Sequence, residues 1–125
     1  MTLRVLIVDD NQALCTVFSL FLTRNGLDCR TATDGEEALR LAASFHPDIV
    51  LLDIGMRGLD GYEVAQRLRK AEGPRPWLVA MTGQADAERA RIAGFHRMLA
   101  KPFRLQELDA VVQAYAGRNE KEANV

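Results

Sequence analysis

The stretch DIVLLDIGMRGLDG, residues 48–61, runs apolar residues together from Ile49 to Leu52, stops on Asp53 and then breaks into a glycine-punctuated loop. A strand with one wet face alternates apolar and polar residues, whereas a strand covered on both faces reads as an unbroken apolar run. Residues 48–52 therefore predict a buried strand of a parallel sheet, and that strand delivers a carboxylate at its C-terminal end.

Working outward, LRVLIV at 3–8 is a second run of this kind and leads into Asp9, Asp10 and Asn11. WLVAM at 77–81 is a third and ends at Thr82 and Gly83. Two weaker segments, LDCRTA at 27–32 and FHRMLA at 95–100, read as less buried strands, the latter leading to Lys101 and Pro102. Between them lie helical patterns. Leu14, Val17, Phe18, Phe21 and Leu22 recur at helical spacing over 11–25, with Asn25-Gly26 as a stop. Asp34 with Glu37 has capping-box spacing before Ala38, Leu39, Ala42 and Phe45, and Pro47 ends that helix. Residues 61–71 carry Val64, Ala65 and Leu68; residues 85–93 form a poorer, alanine-rich helix; Leu105, Leu108, Val111, Val112 and Tyr115 line a final one. The thin apolar side of 85–93 predicts a weakly held element or one that meets a partner.

Five strand and helix units in alternation predict an α/β fold, a doubly wound parallel sheet with right-handed crossovers. The chain has 125 residues, 48% of them hydrophobic and 26% charged, which fits one soluble domain over 1–117 with a polar tail, expected to be flexible, over 118–125. A formal charge of −1 supplies no general attraction to nucleic acid or to a membrane surface. No apolar run spans a membrane, and the opening MTLRVLIVDD lacks secretory features, so a cytoplasmic location is expected. Cys15 and Cys29 have no partner at metal-site spacing and read as reduced, partly buried thiols.

All C-terminal strand ends of such a sheet lie on one edge, which gathers Asp9 and Asp10, Asp53, Thr82 and Lys101. Clustered carboxylates repel one another, and a hard divalent cation relieves that repulsion; magnesium takes oxygen ligands. A bound magnesium ion can neutralise charge on a phosphoryl group, with Lys101 and the Thr82 hydroxyl also turned to its oxygens. Asp53 is then the nucleophile that forms an aspartyl phosphate. Each residue alone has an ordinary structural reading as a cap, turn or surface residue. Their joint placement at successive buried-strand ends carries the argument.

The combination of VDDN at 8–11, LLDIGMRGLDG at 51–61, MTG at 81–83 and KPF at 101–103 resembles the receiver domain of two-component response regulators, over residues 3 to 116. The resemblance implies a flavodoxin-like sheet of strand order 2-1-3-4-5, with Asp53 accepting phosphate from a histidine kinase or histidine phosphotransfer protein. It also implies that Asp9, Asp10, Asp53 and the Gly55 carbonyl hold magnesium, that Thr82 is the switch hydroxyl, and that Pro102 follows a cis peptide bond. Such a domain promotes its own phosphorylation and dephosphorylation and is not a turnover enzyme. It signals through a protein target or self-association on the face of the fourth helix, fifth strand and fifth helix, with no direct contact to nucleic acid or membrane. With no DNA-binding or enzymatic segment in this sequence, output is expected through protein contact, and the style of 81–103 resembles receivers attached to hybrid kinases.

The sequence departs from the family pattern at two places. Arg57 stands where proline is usual, and Met98 stands at the switch-aromatic position, so coupling of Thr82 to the fourth helix is expected to be weaker or carried differently. Gly83 leaves room above the acceptor, and Gln84 occupies a position that influences aspartyl phosphate hydrolysis. His46 reads as a helix-end residue, and His96 as part of the fifth strand rather than a phosphodonor. Two alternatives have sequence grounds. A small-molecule phosphatase would use a similar aspartyl phosphate, but its second acid, two residues after the nucleophile, falls on Gly55. A pseudo-receiver would bind partners without phosphorylation, although all five chemical positions are filled.

Overall fold

The computed structural model describes residues 2–56, 60–83 and 87–123, without the side chains of 87, 88, 92 and 118–123. Arg57, Gly58 and Gln84 lie outside the described residues. Strands β1 (Arg4–Val8), β2 (Asp28–Ala32), β3 (Ile49–Asp53), β4 (Trp77–Thr82) and β5 (Arg97–Ala100) alternate with helices α1 (Gln12–Arg24), α2 (Gly35–Phe45), α3 (Gly61–Lys70), α4 (Ala87–Ile92) and α5 (Leu105–Ala123). The strands form one parallel sheet in the order β2-β1-β3-β4-β5.

Side chains alternate across a strand, so the unbroken apolar runs feed two cores. On one face Val5, Ile7, Leu51, Val79 and Met81 pack with Phe18 and Leu22 of α1 and with Leu108 and Val112 of α5. On the other, Leu6, Val8, Val50, Leu52, Leu78 and Ala80 pack with Ala38 of α2, Val64 and Leu68 of α3, and Ala90 of α4. Every residue of β3 and β4 is buried, whereas the edge strands β2 and β5 retain exposed positions. Burial of each large aliphatic chain stabilises the fold by about 1.5–3 kcal/mol.

Side-chain caps fix three helix starts. Asn11, Asp34 and Asp60 accept from the backbone N–H of Leu14, Glu37 and Glu63, respectively. His46 closes α2 in the left-handed region at φ 53°, the helix-end role its place before Pro47 predicts. Most strand ends lie within one residue of the sequence reading, but β5 begins at Arg97 rather than at 95, and α5 runs to Ala123, through most of the expected polar tail.

Gly61 sets how closely α3 approaches the end of β3. A Cβ there would lie 2.5 Å from Ile54 Cα and 2.8 Å from the Asp53 carbonyl oxygen, and backbone atoms cannot move aside as a flexible side chain can. Gly61→Ala is expected to destabilise the protein by about 1–3 kcal/mol by pushing α3 outward. Equilibrium urea unfolding checks this; an unchanged midpoint would mean that α3 shifts without resistance.

Candidate functional site at the C-terminal edge of the sheet

The chain turns immediately after β1, which separates the two adjacent carboxylates. Asp9 is fully buried and Asp10 exposed. The Asp9 backbone N–H donates to the Ala32 carbonyl at 3.1 Å, tying the turn to β2. Its carboxylate is held at both oxygens: Oδ1 accepts from the Asn11 N–H at 2.9 Å, and Oδ2 accepts from Lys101 Nζ at 2.5 Å. Beneath it, the buried Cys15 Sγ lies 3.3 Å from the Asp9 carbonyl oxygen as a thiol donor. Burial, followed by the Asp9 charge, pushes that thiol up to about 11, so it stays protonated at neutral pH.

Asp53 closes β3 and is 8% exposed. Its Oδ1 accepts from the Gly55 N–H at 2.9 Å, and its Oδ2 lies 3.5 Å from Lys101 Nζ. Burial raises its pKa above the ordinary carboxylate value; the Gly55 N–H and Lys101 pull downward, and the Asp9 and Asp10 charges push up again. For Lys101, burial acts to lower the pKa, but the Asp9 hydrogen bond and the two carboxylate charges outweigh it and leave a net rise. The ammonium is thus firmly charged.

The β3–β4 register pairs Asp53 with Met81, which puts the buried Thr82 one residue further along the neighbouring strand. Thr82 in turn pairs with Ala100, and its carbonyl accepts from the Lys101 N–H at 2.6 Å. The Lys101–Pro102 peptide bond is cis, as the resemblance implies. Phe103, just beyond, stacks on Phe18 of α1 at 5.2 Å between ring centroids. Gly83 is exposed, and a Cβ there would meet nothing within 4 Å. Met98 is partly buried against the α2–α3–α4 core rather than lying free on the surface, and it pairs with Ala80 across β4.

The structure therefore brings Asp9, Asp10, Asp53, Gly55 and Lys101 together, with Thr82 on the adjoining strand. Asp9, Asp10 and Asp53 each offer a carboxylate oxygen within 4.8 Å of the others. This donor set fits magnesium on chemistry: three carboxylates offer hard oxygen ligands, and the Lys101 ammonium pairs with two of them, Asp9 and Asp53. Sequence reasoning assigned Lys101 to incoming phosphoryl oxygens and missed that Asp9 is its nearer partner, as well as the Cys15 thiol beneath the Asp9 carbonyl. Neither contact joins residues at a spacing that marks it in the chain. A separate cavity of about 520 Å³, lined by Arg4, His46, Arg67 and Arg75 among others, lies beneath the N-terminal ends of the strands and away from these carboxylates.

Residues 5–113 match the response regulator receiver domain. Among curated proteins, the chain is 37% identical over 122 residues to the alkaline phosphatase synthesis transcriptional regulatory protein PhoP of Bacillus subtilis, covering 96% of this chain and 51% of that protein. It is 41% identical over 120 residues to the response regulator MprA of Mycolicibacterium vanbaalenii, covering 94% and 52%. The chain thus spans about half the length of these curated relatives. Among solved structures, a CheY-like receiver domain protein from Methanospirillum hungatei superposes with a TM-score of 0.89 at 25% identity, covering 98% of this chain and 99% of that one. The chemotaxis protein CheY4 of Vibrio cholerae gives 0.83 at 26% identity, covering 92% and 99%. With sheet order and strand-end carboxylates in place, the match across residues 5–113 makes this chain a member of the response regulator receiver domain family.

Proposed function

We propose that Asp53 accepts a phosphoryl group from a phosphohistidine on a histidine kinase or phosphotransfer protein, in a magnesium-dependent reaction, and that the resulting change in population alters contacts with a protein partner. The observation that carries this reading is the meeting of Asp53 with two further carboxylates and Lys101 at one sheet edge. A carboxylate oxygen of Asp53 attacks phosphorus, the bond from phosphorus to the donor imidazole nitrogen breaks, and the electron pair leaves with that nitrogen. The Gly55 N–H orients the Asp53 carboxylate for the attack. Lys101 faces the Asp53 oxygen at 3.5 Å and supplies positive charge to the transferring group, with the Thr82 hydroxyl as a further donor. Asp9, Asp10 and Asp53, with the Gly55 carbonyl, would hold magnesium, which when bound neutralises charge on the phosphoryl oxygens.

A protein donor is supported by the surface beside the site. α1 starts at the Asp9–Asn11 turn and presents Val17 and Leu20 at 47% and 57% exposure, apolar area suited to a partner helix. Among the described residues no helix is long and apolar enough to cross a membrane. The formal charge of −1 supplies no general attraction to lipid or nucleic acid, which favours protein partners. The face of α4, β5 and α5 is the proposed output surface, for a target or a second copy. Intact-mass measurement after incubation with a small phosphodonor tests the core reading. One added phosphoryl group, present with magnesium and lost with chelator, is expected; no magnesium-dependent modification would overturn it.

A further inference from the structure

With methionine at position 98, β5 offers no ring to report the state of the acceptor to α4, yet a continuous set of contacts leaves the acceptor by another route. α3 starts against it: the Cβ that Gly61 lacks would fall 2.5 Å from Ile54 Cα, so the first turn of α3 rests on the residue that follows Asp53. The next residue, Tyr62, is half-buried and holds two groups from beyond α3. Phe95, buried between α4 and β5, meets its ring edge-on at 6.0 Å and 81°, and the Arg89 guanidinium of α4 lies 4.0 Å over its ring centroid. About two helical turns further on, Arg69 near the other end of α3 lies against the same segment. Gly94 has φ +94°, and the Arg69 guanidinium occupies the space a Cβ would need. The Phe95 N–H donates to the Ala90 carbonyl at 3.0 Å, which ties Phe95 to α4.

The described part of α4 is six residues, Ala87–Ile92, and among its described side chains Ala90 is the buried apolar contact. An element held thinly is one whose position a single stacked cluster can bias. We infer that Tyr62 is the positioning residue through which a change at Asp53 reaches α4 and β5 in this chain. When the acceptor segment shifts, α3 carries the Tyr62 ring with it, and the ring's two partners draw α4 and the start of β5 along. The inference rests on the phosphoacceptor reading, and its test separates the two.

The isotope-labelled chain is loaded with beryllium fluoride, a tetrahedral phosphoryl mimic, and magnesium. Bound fluorine resonances report the adduct, and amide shifts of Ala90–Leu99 report the response. In Tyr62→Leu the adduct forms with affinity within about twofold of wild type, while the Ala90–Leu99 response falls to less than roughly half; Tyr62→Phe, which keeps the ring, retains it. Arg89→Gln, at the exposed end of the stack, loses part of the response with the fold intact, and it decides the matter if Tyr62→Leu does not fold. A normal adduct with an undiminished response in Tyr62→Leu, or in Arg89→Gln where only that variant folds, overturns the role of Tyr62 alone. No bound fluorine signal in wild type, or one that persists in Asp53→Asn, removes the phosphoacceptor reading and this inference with it.

Discussion

Asp53→Asn takes up no phosphoryl group from a small phosphodonor and, without divalent cations, melts at a higher temperature than the wild type. The first effect follows from chemistry, since an amide oxygen is a far weaker nucleophile than a carboxylate oxygen. The second follows from the electrostatics of the site. Burial raises the folded-state pKa of Asp53, so the stability it contributes is present below the unfolded value of about 3.8 and is lost as pH rises through the raised value. At neutral pH the ionised group is therefore held at a cost, increased by Asp9 and Asp10. Asparagine keeps an oxygen for the Gly55 N–H and removes the charge; Lys101 retains its shorter bond to Asp9 at 2.5 Å. A gain of a few degrees is expected, given that roughly 1 kcal/mol moves the midpoint of a domain of this size by about 4 °C. Calorimetry in chelator checks it. A midpoint at or below that of the wild type would contradict the repulsion account, whereas continued modification would remove Asp53 as the acceptor.

How far the sequence discloses this molecule depends on what sets each feature. β1, β3 and β4 are legible because both faces are covered and the apolar run is unbroken. The start of β5 is not, because Phe95 leaves the strand for the α4 side of the core. His96 continues the pairing without belonging to β5: its N–H donates to the Leu78 carbonyl at 2.8 Å, and its ring Nδ1 accepts from the Leu78 N–H at 2.9 Å. A side chain that takes the place of a ladder carbonyl leaves no trace in periodicity. α5 continues to Ala123 because RNEKEA, 118–123, contains no proline and consists largely of residues with good helix propensity, a signal that apolar periodicity does not carry. The Asp60 cap repeats the Asp34–Glu37 spacing in Asp60–Glu63 and was available to the same reading. At the site, the strand-end residues were legible from position. Their pairing was not, because the approach of Lys101 to Asp9 depends on how β5 lies across β4, β3 and β1.

That pairing makes Lys101→Met the most destabilising single change expected at the site. Removing one partner of a buried ion pair typically costs roughly 3–5 kcal/mol, because the other charge is left without compensation. Here the Asp9 side chain is 1% exposed and that of Lys101 22%, so a loss of about 2–3 kcal/mol is expected after allowing for the water that reaches the ammonium. The loss depends on pH in a defined sense. The folded-state pKa of Lys101 is raised above 10.5, so its contribution is complete below the unfolded value and disappears as pH rises through the folded one. The stability gap between wild type and variant therefore closes in alkali. Magnesium narrows it at neutral pH, since a divalent cation among Asp9, Asp10 and Asp53 relieves the repulsion that the ammonium relieved. Phosphoryl uptake does not recover in parallel: without a cation facing the Asp53 oxygen, the rate stays about 100-fold below that of the wild type at saturating magnesium. Urea unfolding across pH, with and without magnesium, and single-turnover uptake from a small phosphodonor separate the two roles. If magnesium restored both stability and rate, Lys101 would be only a counter-ion for Asp9, and its place in the transfer step would be lost.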